Sequence, residues 1–343
     1  MPFPFAMKAI LRPLANLTFI FTFLVILAGS VVRITGSGMG CPDWPKCFGY
    51  YIPPTDPDQV NYHVGQEYKK GMMVIVNDTL WRAKSGFVAQ QEFDRGLWEK
   101  YPKHDYAEFI VYQTWVEYIN RLLGAVLGLF VLGCFVSSLF WWRTDKLLPL
   151  YAFALLFLTG FQAWLGKLVV DGNLIPQSIS IHMLAALLLL VFAQFILMRL
   201  RVHAGNATPL ARNIRLLSGA ALLLTVLQVL VGTQVREEID VLAKMLGSDQ
   251  RDLWVDGLSS VFTLHKSASL MVLALNGFLI YQVLHTANDR ARRMAALLGG
   301  LLFLEVVLGI VLNYAGMPGA AQTLHLLCAT LIFAAQAELV LGR

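Results

Sequence analysis

Eight apolar runs, near residues 14–33, 117–140, 148–170, 178–199, 214–235, 261–284, 294–313 and 320–341, leave this chain few ways to fold. Each is close to the roughly 20 residues that an α-helix needs to cross about 30 Å of hydrocarbon. A backbone in lipid must satisfy its own hydrogen bonds, so runs of this length become helices. With 57% hydrophobic residues and only 14% charged, the 343-residue chain is not an ordinary soluble enzyme. The expectation is an all-α integral membrane protein with eight transmembrane helices. The first run is followed by a long polar segment rather than a small-residue cleavage site, so it reads as a retained span and not a secretory signal.

Basic residues give the orientation, because Lys and Arg gather on the cytoplasmic side of short loops. Lys8 and Arg12, Arg143 and Lys146, Arg199, Arg201, Arg212 and Arg215, and Arg290, Arg292 and Arg293 all fall on one side. That places both termini in the cytoplasm of a multi-pass protein of the plasma or inner membrane, with the large loop outside. The net charge of +5 follows from these scattered anchors, which excludes a nucleic-acid partner.

The outer loop spans 34–110. It opens on a glycine-rich turn, Thr35 to Gly40, which lacks the strand-loop-helix setting of a phosphate-binding loop. Residues 48–107 form the one large polar insertion, with alternating pieces such as Met72-Met73-Val74-Ile75-Val76 that predict a small outer cap. Its histidines, His63 and His104, read as solvated. Cys41 and Cys47 lie in this loop, where an oxidising compartment permits a disulfide. Their spacing alone does not separate a disulfide from a redox couple or a metal site. Cys134 and Cys328, inside helices, read as small buried hydrophobes.

A repeat becomes readable from the third helix onward. Gln162, Gln228 and Glu305 each stand four residues before a glycine, Gly166, Gly232 and Gly309. The interval from Gly166 to His182 equals that from Gly309 to His325, and Gly29 precedes Arg33 as Gly232 precedes Arg236. The chain therefore reads as two pseudo-equivalent four-helix bundles, 1–205 and 206–343, in parallel.

The even-numbered helices carry Asn120, His182, His265 and His325 near their outer ends, with a small residue four positions on: Gly124, Ala186, Ser269 and Ala329. Residues at that spacing share a helix face. Facing histidines with small neighbours are how a bundle holds a haem, although small residues at this spacing also serve close helix packing alone. His265 and His325 are expected to ligate a haem in the second half. In the first half His182 supplies one ligand and Asn120 is a poor one, so an open side invites chemistry. Glu117, one turn from Asn120, can act there as a general base or charge stabiliser, or form an ion pair with Arg121 at the favourable spacing. Arg33, Arg236, Arg121 and Lys266 are candidates for binding haem propionates.

These residues resemble the haem A synthase family. The resemblance rests on Arg33 to Gly49, with Thr35-Gly36-Ser37-Gly38 and the segment from Cys41 to Cys47, on Glu117-Tyr118-Ile119-Asn120-Arg121, and on His182, His265 and His325. It implies a haem b in the C-terminal half, haem O as substrate in the N-terminal half and haem A as product, formed by oxidising the C8 methyl to a formyl through hydroxylated intermediates. It further implies a prenyl transferase that supplies haem O and a terminal oxidase that takes the product. A homo-oligomer is compatible with it. The family's motif has histidine where this chain has Asn120, which leaves axial ligation in the first half open. The alternative reading is a non-catalytic di-haem b-type membrane cytochrome, which predicts two closed ligand pairs.

Overall fold

The structure, a computed structural model, describes residues 3–101, 108–171, 176–205 and 209–342. Eight helices are long and apolar enough to cross a membrane among these residues. They are α1 (Phe3–Ile34), α2 (Val111–Leu139), α3 (Leu147–Asp171), α4 (Pro176–His203), α5 (Arg212–Leu246), α6 (Ser260–Thr286), α7 (Asp289–Tyr314) and α8 (Gly319–Leu341). The chain is an all-α integral membrane protein with a small β-structured cap.

Two helices outrun their apolar stretches. α1 starts at Phe3, well before the hydrophobic run, and α5 continues to Leu246 through Arg236, Glu237, Glu238 and Asp240. Hydropathy alone reads that charged stretch as loop. Helical periodicity explains its persistence: Val235, Ile239, Leu242, Ala243 and Leu246 recur on one face and pack against Trp254 and Met317. Gly247, at φ 82°, ends the helix in a conformation that favours glycine. Side-chain caps set other starts, Ser259 accepting the Val261 N–H at 3.1 Å and Asn288 that of Ala291 at 3.0 Å.

α1 to α4 pack on one another around Leu11, Val131, Leu155 and Ile196, and α5 to α8 around Ile214, Leu279, Leu298 and Ile332. Between them α1 and α4 meet α8, and α4 meets α5, through Ile26, Met183, Val229 and Phe333. α4 and α8 have 56% and 50% of their apolar windows buried, against 22–28% for the rest, so these two form the centre of the molecule.

Lipid tails are as apolar as leucine, so helix association depends on close packing and polar ties. Gln336 Nε2 donates to Thr225 Oγ1 at 2.9 Å and to Asn276 Oδ1 at 2.8 Å, while Gln194 on α4 donates to the Ala334 carbonyl of α8 at 2.8 Å. Nearer the cap, Ser30 bonds Thr323 at 3.2 Å and Ser180 bonds Thr233 at 2.7 Å.

The described part of the polar insertion, residues 48–101, folds into a compact cap. β2 (Met73–Val76), β3 (Thr79–Ala83) and β5 (Trp98–Lys100) form one antiparallel sheet, and β1 (Glu67–Tyr68) pairs with β4 (Phe87–Val88). Asn77 and Asp78, both with positive φ, make the two-residue turn that a hairpin's twist demands. Tyr62, Tyr68, Phe87, Phe93 and Trp98 fill the space between the sheets. Three contacts tie the cap, its preceding loop and α2 together. Tyr101 donates to the Pro42 carbonyl at 2.7 Å, Trp115 to that of Pro54 at 3.1 Å and Thr114 to that of Gly40 at 2.8 Å. A Cβ at Gly40 would lie 2.6 Å from the Gln113 backbone, so only glycine permits this approach.

Candidate functional site

The imidazoles of His265 on α6 and His325 on α8 face one another with ring centres 6.4 Å apart and planes at 72°. Two imidazoles on opposite sides of one metal ion set their ring centres about 6 Å apart, from two bonds of ~2 Å and ~1 Å from each nitrogen to its ring centre. Both Nδ1 atoms are buried; that of His265 makes no hydrogen bond, and that of His325 lies 3.2 Å from Glu305 Oε1. A polar atom left bare in an apolar interior is costly and calls for a ligand or a functional reason. The pair therefore fits a six-coordinate haem iron. Among the described residues no group of three or more His, Cys, Asp or Glu side chains is suited to a free metal ion.

Glycines make room for these rings. A Cβ at Gly232 on α5 would meet His265 Cε1 at 3.1 Å, and one at Gly309 on α7 would meet His325 Cε1 at 3.7 Å. The same relation holds in the first half, where a Cβ at Gly29 on α1 would stand 3.9 Å from Asn120 Oδ1. Gly166, beside the His182 helix, has open space in front of it. The polar residue four before each glycine contributes as well. Gln162 donates to the His182 carbonyl at 2.9 Å and Gln228 to the His265 carbonyl at 2.8 Å. Their spacing was visible in the sequence; their acceptors were not.

In the first half Asn120 Oδ1 and His182 Nδ1 are both buried without a hydrogen-bond partner. Ala186 and Ala329, two of the small residues four positions on, pack into the central core, where they serve close helix approach. His63 is tied into the cap, its Nε2 lying 2.8 Å from the Asp58 carbonyl oxygen and 3.3 Å from the Asp58 carboxylate. His104 falls outside the described residues.

Glu117 is buried, and both of its oxygens are engaged. Oε1 takes the Arg121 guanidinium and Oε2 accepts the Cys41 N–H at 2.8 Å. Arg121 in turn donates to the carbonyls of Asp43 at 2.7 Å, Lys46 at 3.0 Å and Cys41 at 3.2 Å. Cys41 and Cys47 form a disulfide, so the guanidinium binds three carbonyls of one closed loop. Burial pushes the Asp43 carboxyl above its ordinary 3.8, against the Gly49 N–H and the Arg121 charge. The ion-pair role foreseen for Glu117 is the one this conformation displays.

Arg33 and Arg236 meet at a residue the sequence did not single out. Asp240 accepts from Arg33 at 2.6 Å and lies 2.7 Å from Arg236, joining α1 to α5 at the cap end of the membrane. The signal was available as the Arg236 to Asp240 spacing of four on a helix. Arg236 also reaches Gln322 on α8. Lys266 stands apart, with Nζ 4.7 Å from the centre of the Phe262 ring.

The sequence matches the family described as cytochrome oxidase assembly protein, COX15-CtaA, over residues 12–80 and 79–337. A heme A synthase of Shewanella oneidensis is 24% identical over 324 residues, covering 87% of this chain and 86% of that protein. A heme A synthase of Methylobacterium sp. strain 4-46 is 26% identical over 341 residues, covering 90% and 85%. Another, from Methylobacterium nodulans, is 26% identical over 335 residues with the same coverage of each chain.

Proposed function

This chain belongs to the cytochrome oxidase assembly protein family that includes the haem A synthases, and on that premise we propose that it is a membrane oxidoreductase converting haem O to haem A. The observation that carries the reading is the facing of His265 and His325 at 6.4 Å, a ligand pair set to hold haem b in the C-terminal half. Haem O would be held in the N-terminal half by His182, with Asn120 a poor ligand at the corresponding position of the repeat. A closed pair suits electron transfer, and an incomplete pair leaves a reactive side.

The C8 methyl of the substrate is oxidised to a formyl through hydroxylated intermediates. Glu117 serves as general base or stabilises charge at that edge, and its engagement by Arg121 and Cys41 sets where the carboxylate sits. Arg33 and Arg236, which converge on Asp240, together with Arg121 and Lys266, are the candidate propionate anchors. Matching ties support two pseudo-equivalent bundles, 1–205 and 206–343. Ser30 and Thr233 each stand three before an arginine, and each bonds a residue two before a histidine, Thr323 and Ser180. In this reading both termini are cytoplasmic and the cap faces outward. Haem O arrives from a prenyl transferase and haem A leaves for a terminal oxidase.

Expression with a haem O source, followed by pigment extraction, tests the activity. A formyl-bearing haem is expected; its absence from folded, haem-loaded protein overturns the reading in favour of a non-catalytic di-haem cytochrome. Glu117→Gln is expected to abolish turnover while leaving the second-half haem spectrum intact.

A further inference from the structure

The three odd-numbered helices that carry a polar residue four before a glycine do not use it alike. Gln162 and Gln228 are neutral and donate to the backbone carbonyls of His182 and His265. Glu305, at the same register on α7, has no proton to give in its ionised form. Its Oε1 lies 3.2 Å from Nδ1 of the His325 ring, off the line of a hydrogen bond in this conformation. Oε2 is buried and makes no hydrogen bond of ordinary geometry, with the Cys328 thiol beside it donating to the Leu301 carbonyl at 3.1 Å. An acidic side chain within a membrane span is expensive to keep and marks function, with its partner as the clue to its role. Here the partner is a ring nitrogen.

We propose that Glu305 is a positioning residue for His325, holding Nδ1–H so that Nε2 is the nitrogen presented for ligation and setting a negative charge next to the second-half iron. The inference rests on the haem b reading of that half. A ligating histidine commonly gives its other N–H to a carboxylate, which fixes the tautomer and makes the ligand more basic. Among the described residues no carboxylate is hydrogen-bonded to His265 Nδ1, and the helix of His265 is held through its backbone by an amide. In its ionised form Glu305 would put an anion behind one imidazole and not the other, so the two ligands of one iron would be unequal. A more basic ligand and a nearby negative charge both favour the ferric state, so Glu305 lowers the reduction potential of this site. That matters for direction, because a lower potential makes the site the better electron donor.

The test is redox titration and spin-resonance spectroscopy of the full-length haem-loaded protein and of Glu305→Gln, which keeps size and removes the charge. Glu305→Gln is expected to keep a low-spin signal with altered g values. At a fixed poise its ferrous-to-ferric ratio should rise about tenfold, or ~59 mV for a one-electron couple. A ratio and g values unchanged from the unmodified protein would overturn the role of Glu305 alone, because packing does not depend on the charge. Absence of any low-spin signal from the unmodified protein would overturn the haem b reading and this inference with it. Should Glu305→Gln fail to accumulate, Glu305→Asp, which keeps charge and shortens reach, is expected to give a smaller rise. No rise there would likewise exclude the role.

Discussion

The backbone N–H of Cys41 donates to Glu117 Oε2 at 2.8 Å, joining the disulfide loop to the acidic residue on α2. The same loop gives three carbonyls to Arg121, which holds the other carboxylate oxygen. Position of the acid is thus a property of the loop as much as of the helix.

Opening that loop is expected to loosen the acid. Replacing both Cys41 and Cys47 by Ser releases a short closed loop, for which the chain-entropy account gives a loss of about 2 kcal/mol. Thermal melts in detergent should show the fall in stability, and pigment extraction a fall in haem A. The spectrum of the haem proposed for His265 and His325 should not move, since these residues lie on other helices.

Glycines that face a histidine ring and glycines that do not should respond differently to one added methyl. Gly232→Ala places a Cβ 3.1 Å from His265 Cε1, tighter than side chains normally pack, so the imidazole must shift. Loss or broadening of the low-spin signal is expected. Gly166→Ala meets nothing within 4 Å and is expected to leave the spectrum unchanged.

Asp240 stands between two guanidiniums contributed by α1 and α5. Asp240→Asn leaves Arg33 and Arg236 facing each other without a counter-charge. Because the carboxylate is 32% exposed and solvent screens it, the expected cost is modest, about 1 kcal/mol. The loss should be larger in low salt than in high salt, measured by thermal unfolding.

The opposite end of the bundle provides a pH test. Asp145, in the link between α2 and α3, is buried; burial raises its pKa, but hydrogen bonds from His203 and Arg199 outweigh that and leave it below 3.8. The contacts are 2.7 Å to His203 and 2.8 Å to Arg199. A depressed folded pKa means the stabilisation is fully present above the unfolded value and is lost as pH falls through the folded one. Asp145→Asn is therefore expected to be less stable than the parent near neutrality, with the difference shrinking below about pH 4.

Much of this was legible because membranes are strict. Runs of apolar residues marked out the eight helices, and the equal spacing of Gly166 to His182 and Gly309 to His325 pointed to the repeated histidine positions before any contact was visible. Arg121 pairing with Glu117 could be anticipated from helix spacing. The Cys41 N–H could not, since it comes from 76 residues away through a loop whose path depends on Gly40 and the disulfide. The charged end of α5 reads as loop from hydropathy, because a scan for apolarity misses a helix that is apolar on one face only. Glu305 stands out in the sequence for its spacing alone; its difference from Gln162 and Gln228 gains meaning only once the His325 ring stands beside it.

The seam between the halves carries ties at several depths: Arg33 to Asp240, Ser30 to Thr323, Ser180 to Thr233, and Gln194 to Ala334. Covalent continuity between His203 and Arg212 is then expected to be dispensable for assembly. Two separately translated fragments, divided in that link and co-inserted in one bilayer, should dock unaided and rebuild the whole, as lock and key made in different workshops still turn together.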